Sequence, residues 1–340
     1  MRSIFDLTLE KLEEDLVNNG FKKFNATQVF EGIYKQKHTS FLDITNISKE
    51  LKKYLTENFS LEYLKVEEKL TSDTADKYLL NLNDSFVEVV LMKQSYGNSL
   101  CISSQVGCNM NCAFCESGRL KKQRDLTTGE MINEVLTIEK YENIRIDNVV
   151  IMGIGEPFDN FNNIKDFLSI ITCNKGIDLG SRRITVSTCG LVPKIKEFAD
   201  LNTQVNLAIS LHAADDETRN KLMPINKAYP ISEVLKAIDY YTKKINRRVT
   251  IEYILLDKIN DSKEDAIKLA NLLKGKLVYV NLIPYNSNST DFKRSSKERI
   301  EVFFDTLTKN GINTQKRREM GKNIKGACGQ LRAAKEKQGE

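Results

Sequence analysis

Apolar residues recur at helical spacing over the first sixty positions, and then the period changes. Leu9, Leu12 and Leu16 share one helical face, Val29, Phe30 and Ile33 a second, and Leu51, Tyr54 and Leu55 a third. From about residue 61 the pattern alternates. Glu62 to Leu70, Lys77 to Leu82, Phe86 to Met92 and Leu100 to Ser104 read as strands, with turns at Asp84-Ser85 and Gly97-Asn98. This predicts a small helical unit over 1–60 and an antiparallel strand extension over 61–98 that links it to the remainder of the chain. Glu88 interrupts an otherwise apolar run; alternation turns it toward solvent, unless the carboxylate has a chemical task.

Beyond residue 99, uninterrupted apolar strands alternate with amphipathic helices. Thr127-Thr128-Gly129-Glu130 is a capping box that opens a helix carrying Met131, Ile132 and Val135. Strands are predicted at Asn148 to Met152, Arg183 to Ser187, Val205 to Leu211, Val249 to Leu256 and Val278 to Ile283. Helices are predicted at Ile164, Phe167, Leu168 and Ile171, from Ile231, at Ala266, Leu269 and Leu273, and at Ile300, Phe303, Phe304 and Leu307. Such strands belong to a parallel sheet covered by helices. Counting from Leu100 to Ser104 gives six. The expected fold class is α/β, an incomplete parallel (β/α)6 barrel over 99–312, with a basic C-terminal segment over 313–340.

Composition narrows the class. With 340 residues, 41% of them hydrophobic, the chain can bury a large core, and seven cysteines at this length are not a secreted disulfide framework. No signal-like or membrane-length apolar run occurs, so a cytoplasmic protein without a membrane partner, and a monomer, is expected. The net charge of +5 is small, but Lys316, Arg317, Arg318, Lys322, Lys325, Arg332, Lys335 and Lys337 crowd the last segment. That is the footprint of a polyanionic partner or a solvated terminus. Lys22, Lys23, Lys35, Lys37, Lys49, Lys52 and Lys53 leave the same choice open for the helical unit, between a nucleic-acid face and a solvated cap.

The sharpest chemical signal is Cys108, Cys112 and Cys115, spaced C-x3-C-x2-C with Phe114 before the last cysteine. Three soft ligands in one short loop select zinc or an iron–sulfur centre. A structural zinc site wants a fourth ligand, and no Cys or His lies nearby. Three thiolates on a [4Fe–4S] cluster leave one iron open for a small molecule. The spacing resembles that of the radical S-adenosylmethionine (SAM) enzymes.

In β/α barrels the reactive groups gather at the C-terminal ends of the strands. Here those ends carry Gly153-Ile154-Gly155-Glu156-Pro157, Ser187-Thr188-Cys189-Gly190, Ser210-Leu211-His212, Glu252, and Asn281 to Asn286. Glycines admit a ligand to the backbone, and Glu156 can accept from an ammonium group. Cys101 is open between packing and catalysis. Cys328, between small residues in a charged tail, is poorly explained by packing, whereas Cys173 and Cys189 read as structural.

Taken together, the chain resembles the RlmN-type radical SAM methyltransferases, which act on adenine C2 of 23S rRNA. The segments that carry the resemblance are Cys101-Ile102-Ser103-Ser104-Gln105-Val106-Gly107-Cys108, Gly155-Glu156-Pro157, Ser187-Thr188, Ser210-Leu211-His212-Ala213, Met223-Pro224-Ile225-Asn226, Asn281-Leu282-Ile283-Pro284 and Ala327-Cys328-Gly329-Gln330-Leu331. Ile154 and Cys189 stand where many members carry Met and Ser. Gly-Glu-Pro resembles the C2 group rather than the Cfr-type C8 enzymes, which confer antibiotic resistance and read Gly-Glu-Ala.

The resemblance implies a [4Fe–4S] cluster on Cys108, Cys112 and Cys115, and two SAM per turnover. SAM contacts fall on Gly155, Glu156, Ser187, Ser210, Leu211, His212 and Asn286. It further implies that Cys328 takes a methyl from one SAM, that a 5′-deoxyadenosyl radical from the second activates that methyl, and that the carbon adds to adenine C2. Glu88 would remove the C2 proton; Cys101 would release the product and leave a Cys101–Cys328 disulfide. Implied partners are 23S rRNA, tRNA at the adenosine 3′ of the anticodon, and an electron donor of flavodoxin or ferredoxin type. A peptide-modifying radical SAM enzyme with extra clusters predicts a second cysteine group, but the other four cysteines are scattered. An RNA-binding protein with a merely structural cluster leaves Cys328 unexplained.

Overall fold

The computed structural model describes residues 1–119, 121–286 and 291–317. Three helices open the chain: α1 (Leu9–Asn18), α2 (Lys23–Tyr34) and α3 (Lys49–Asn58). Thr8 and Ser48 cap α1 and α3, each hydroxyl accepting from a first-turn N–H at 3.2 Å. Of the stripes read from the sequence, Leu12, Leu16, Val29, Phe30, Ile33, Leu51 and Leu55 are buried, and Leu9 and Tyr54 are half-buried against them.

Ten strands then form one sheet: β1 (Lys65–Thr71), β2 (Ala75–Asn81), β3 (Phe86–Gln94), β4 (Gly97–Ile102), β5 (Asn148–Ile151), β6 (Ile184–Thr188), β7 (Asn206–Ser210), β8 (Val249–Leu255), β9 (Val278–Pro284) and β10 (Thr314–Lys316). Each strand pairs with its predecessor in the chain, and β1 and β10 are the two edges. The pairing is antiparallel from β1 to β4 and parallel from β4 onward. The barrel therefore stays open. The antiparallel extension is continuous with the parallel strands in one sheet and leads directly into the cysteine loop. The six expected parallel strands, β4 to β9, are all present, and among the described residues β10 adds a short seventh beyond residue 312. Three residues are too few to show a hydrophobic period.

The parallel strands are joined by α4 (Thr128–Glu142), α5 (Phe161–Thr172), α6 (Val192–Asp200), the short α7 (Asp216–Leu222), α8 (Ile231–Ile245), α9 (Lys263–Leu273) and α10 (Lys297–Lys309). The predicted capping box opens α4: Glu130 N–H donates to Thr127 Oγ1 at 3.1 Å and Thr127 N–H to Glu130 Oε2 at 2.8 Å. The helical unit docks on this same helix. Gly129 N–H donates to Asp6 Oδ1 at 2.6 Å, and Lys37 pairs with Glu139 at 3.2 Å. One apolar core runs from Phe5 and Phe30 through Ile132 to Val186, Ile251 and Phe303. No helix among the described residues is long and apolar enough to cross a membrane.

Candidate active site

The loop after β4 carries the three clustered cysteines. Its base is a two-residue antiparallel pairing of Gln105–Val106 with Arg124–Asp125. Gly107 and Asn111 adopt left-handed conformations (φ 84° and 51°), which turn the chain between Cys108 and Cys112. Cys115 N–H donates to Cys112 O at 3.1 Å, and Ala113 N–H donates to Leu222 O on α7 at 2.9 Å. The loop is thus held by the barrel as well as by itself.

Cys108, Cys112 and Cys115 line a cavity of about 200 Å³ at the C-terminal ends of the parallel strands. Burial pushes the Cys108 thiol up to about 12 and the Cys112 thiol higher still. They ionise there only with a positive centre beside them, as a cluster would supply. Among the described residues, no three Cys, His, Asp or Glu side chains are grouped as ligands of a single metal ion. A [4Fe–4S] cube takes each thiolate on a different iron, so three thiols spread around one cavity fit its donor set.

The Gly-Glu-Pro turn forms the next part of the wall. Gly153 N–H donates to Ile102 O at 2.9 Å and Ser104 N–H to Ile154 O at 2.8 Å, lashing the ends of β4 and β5 together. Gly155 has φ +107°, and a Cβ there would stand 2.6 Å from Gln105 Cβ. Glu156 is 4% exposed. Its Oε1 accepts from Phe158 N–H at 3.0 Å and its Oε2 from Cys189 N–H at 2.7 Å. Burial raises the Glu156 carboxyl above the ordinary range, while these donors favour the ionised form. The result is an oriented carboxylate facing the same cavity as the thiols.

Ser187, Ser210 and His212 also line the cavity. His212 has φ 58°, and its Nδ1 accepts from Ile254 N–H at 3.1 Å, so the ring proton sits on Nε2. Burial, with Arg219 nearby, pushes His212 down to about 3, so it is neutral. Phe114 meets its ring edge-on, centroids 4.8 Å apart. Leu211 and Asn286 are not in the lining: the Leu211 side chain is in the core, and Asn286 is exposed. Leu211 acts through its backbone, its N–H donating to Glu252 O at 3.1 Å and its carbonyl accepting from Arg219 Nε at 3.1 Å.

Glu88 does not face solvent. It is 2% exposed, pairs with Lys77 Nζ at 3.3 Å, and lies on the face of β3 that also carries Val90, which is directly opposite Cys101. Alternation identifies a face, but both faces of β3 are covered: Val87, Val89 and Leu91 are buried on one and Glu88 on the other. Neither Glu88 nor Cys101 lines the cavity. Cys328 lies outside the described residues, as does any Cys101–Cys328 bond; no disulfide joins two of the described cysteines.

Three further cavity residues, Cys189, Glu252 and Arg317, lie outside the SAM contacts that the resemblance implies. Cys189, read as structural, lines the cavity and holds Glu156 through its backbone. Glu252 lies between Ser210 and Asn281 in register, and accepts from Asn281 Nδ2 at 2.8 Å. Arg317 reaches the cavity from just beyond β10, its N–H bonded to Leu282 O at 2.8 Å. Strand-end position already marks Glu252 in the sequence, whereas Arg317 reads there only as part of the basic segment. On the helical unit, Lys23, Lys35, Lys37 and Lys53 form ion pairs with Glu13, Glu31, Glu139 and Glu57, which reduces the net positive field of that face.

Residues 102–270 match the Radical SAM superfamily, and residues 3–61 match the ribosomal RNA large subunit methyltransferase N-terminal domain. The chain is 52% identical over 342 residues to a probable dual-specificity RNA methyltransferase RlmN of Spiroplasma citri, covering 99% of each. It is 52% identical over 344 residues to the Enterococcus faecalis protein of the same description, covering 97% of this chain and 96% of that one. The crystal structure of a radical SAM methyltransferase from Sphaerobacter thermophilus superposes with a TM-score of 0.90 at 38% identity, covering 97% of this chain and 99% of that one.

Proposed function

Because the chain belongs to the RlmN family of radical SAM RNA methyltransferases, we propose that it methylates C2 of an adenosine near the peptidyl-transferase centre of 23S rRNA and of the tRNA adenosine 3′ of the anticodon. The relatives' description as dual-specificity enzymes supports two RNA targets. The observation that carries the chemistry is the single cavity in which three thiols face the oriented Glu156 carboxylate. When bound on those thiols, a [4Fe–4S] cluster supplies the electron that cleaves SAM reductively, an electron delivered by a flavodoxin- or ferredoxin-type protein.

The chain's own groups do the rest. Glu156 accepts the ammonium of SAM, and the Ser187 and Ser210 hydroxyls orient its polar groups. Gly155 admits the ligand to the backbone, and neutral His212 adds no charge beside a cationic substrate. Cys328 accepts a methyl from one SAM as a thiolate, a second SAM being consumed to activate it, so two are used per turnover. Glu88, buried against Lys77 at 3.3 Å, takes the proton from C2. Cys101, as thiolate, then attacks the Cys328 sulfur. The product carbon leaves with the bonding pair, taken up by the adenine ring, and gains a proton to become the methyl, while the disulfide left behind must be reopened by a reductant.

The test is product mapping. Anaerobically reconstituted protein is incubated with SAM, a reductant and unmodified 23S rRNA or tRNA, and the new methyl is located by mass spectrometry on the adenine and on Cys328. A C2 methyl that disappears in Cys328→Ala supports the reading. A C8 methyl moves the protein to the resistance branch, and SAM cleavage without RNA methylation refutes the substrate.

A further inference from the structure

Arg219 is a cation buried among neutral acceptors. It stands on α7 and is fully buried. Its guanidinium donates to Cys189 O at 2.7 Å, Asn226 Oδ1 at 2.8 Å, Leu211 O at 3.1 Å, Tyr229 O at 3.2 Å and Ser210 O at 3.4 Å. Each acceptor is an uncharged carbonyl. Asp216, on the same helix, instead accepts from Ile231 N–H and Asn226 Nδ2 with its Oδ1. Asp216 is thus held off the guanidinium by the Asn226 bridge and balances the buried charge only from one side, which leaves room for an anion on the other.

The anion's position follows from what Arg219 holds. Cys189 and Ser210 line the cavity together with Cys112, so the guanidinium stands directly behind its wall. The same helix ends at Leu222, whose carbonyl anchors the cysteine loop at Ala113. We infer that Arg219 is a positioning residue for the iron–sulfur centre: the fixed counter-charge of the three-thiolate site, which raises the reduction potential of a cluster bound there. A cluster on three thiolates carries net negative charge, and more once reduced, so a nearby cation favours the reduced form. The Met223-Pro224-Ile225-Asn226 turn acquires a role as the brace that keeps Arg219 facing inward.

The inference rests on the radical SAM reading, and the test separates the two. Wild type, Arg219→Lys and Arg219→Met are reconstituted anaerobically. Their cluster potentials are measured by EPR-monitored titration, alongside the melting temperatures of apo and holo forms. Arg219→Met is expected to shift the one-electron reduction equilibrium at least tenfold toward the oxidised form, about 59 mV more negative. It should also shrink the gap in melting temperature between holo and apo forms. Arg219→Lys, which keeps the charge but loses the fork, should stay near wild type in potential.

A folded, iron-loaded Arg219→Met with the wild-type potential overturns the inference. So does an Arg219→Lys that shifts as far as Arg219→Met, since the shift would then follow loss of the guanidinium fork rather than of the charge. If Arg219→Met does not fold, Arg219→Gln, which retains amide donors without charge, carries the same comparison. A wild type that assembles no cluster overturns the radical SAM reading itself, and this inference with it.

Discussion

The Glu156 carboxylate accepts the backbone N–H of Cys189 at 2.7 Å, which locks the turn after β5 to the end of β6. With the second bond from Phe158, the side chain has no freedom to turn away from the cavity. Its acceptor character is therefore set before any ligand arrives.

Glu156→Gln tests that point. A glutamine must aim its amide N–H2 at one of two backbone N–H donors, and it cannot offer a charge to an ammonium. SAM affinity should fall at least tenfold, corresponding to the loss of a charge-assisted bond of about 1.5–3 kcal/mol. Anaerobic equilibrium dialysis measures the affinity, and iron content should remain at the wild-type level. Unchanged SAM binding would remove Glu156 from the site.

Gly155→Ala should destabilise the protein by about 1–3 kcal/mol, because a Cβ meets Gln105 at 2.6 Å on a backbone with φ +107°. Denaturant unfolding of the apoprotein is the measurement. A midpoint within error of wild type would mean that the turn relaxes without cost.

Lys77→Met removes the ammonium that pairs with the buried Glu88 carboxylate. Breaking a buried pair in this way costs about 3–5 kcal/mol, whereas replacing both partners by apolar groups is close to neutral. Lys77→Met should therefore unfold at much lower denaturant than Lys77→Met/Glu88→Leu. Equal losses in the single and double variants would show that the 3.3 Å pair does not account for the burial of Glu88.

His212 produces an acid-side loss of stability. Its folded value is depressed to about 3, so below an unfolded value of about 6.5 the unfolded chain binds the extra proton. Stability then falls as pH drops from 6.5 toward 3. The His212 share of the loss between pH 7 and pH 5 is about 2 kcal/mol. His212→Asn tolerates the left-handed backbone and lacks this proton. The difference between wild type and His212→Asn should therefore narrow on acidification, as read by urea titrations at each pH; a constant difference would refute the assignment.

What the chain determined alone is local. Cys108, Cys112 and Cys115 lie within eight positions, so their spacing states a ligand set without any fold. Apolar stripes such as Leu12 and Leu16, the Thr127–Glu130 capping box and the unbroken strands from Asn148 onward specify helices and a parallel sheet by the same short-range logic. What only the tertiary structure decided depends on groups far apart in sequence. Alternation placed Glu88 on one face of a strand, but whether that face meets water depended on what packs over it, and Lys77 on the neighbouring strand is buried there with it. Cys189 entered the site because Glu156, thirty-three positions earlier, needs a donor. Arg219, among Asp215, Asp216, Glu217, Asn220 and Lys221, carries no local signal of burial; it is buried because carbonyls from the ends of β6 and β7 converge on it. Burial of a polar group is a property of its partners, and partners are assembled only when the sheet brings its strand ends to one rim.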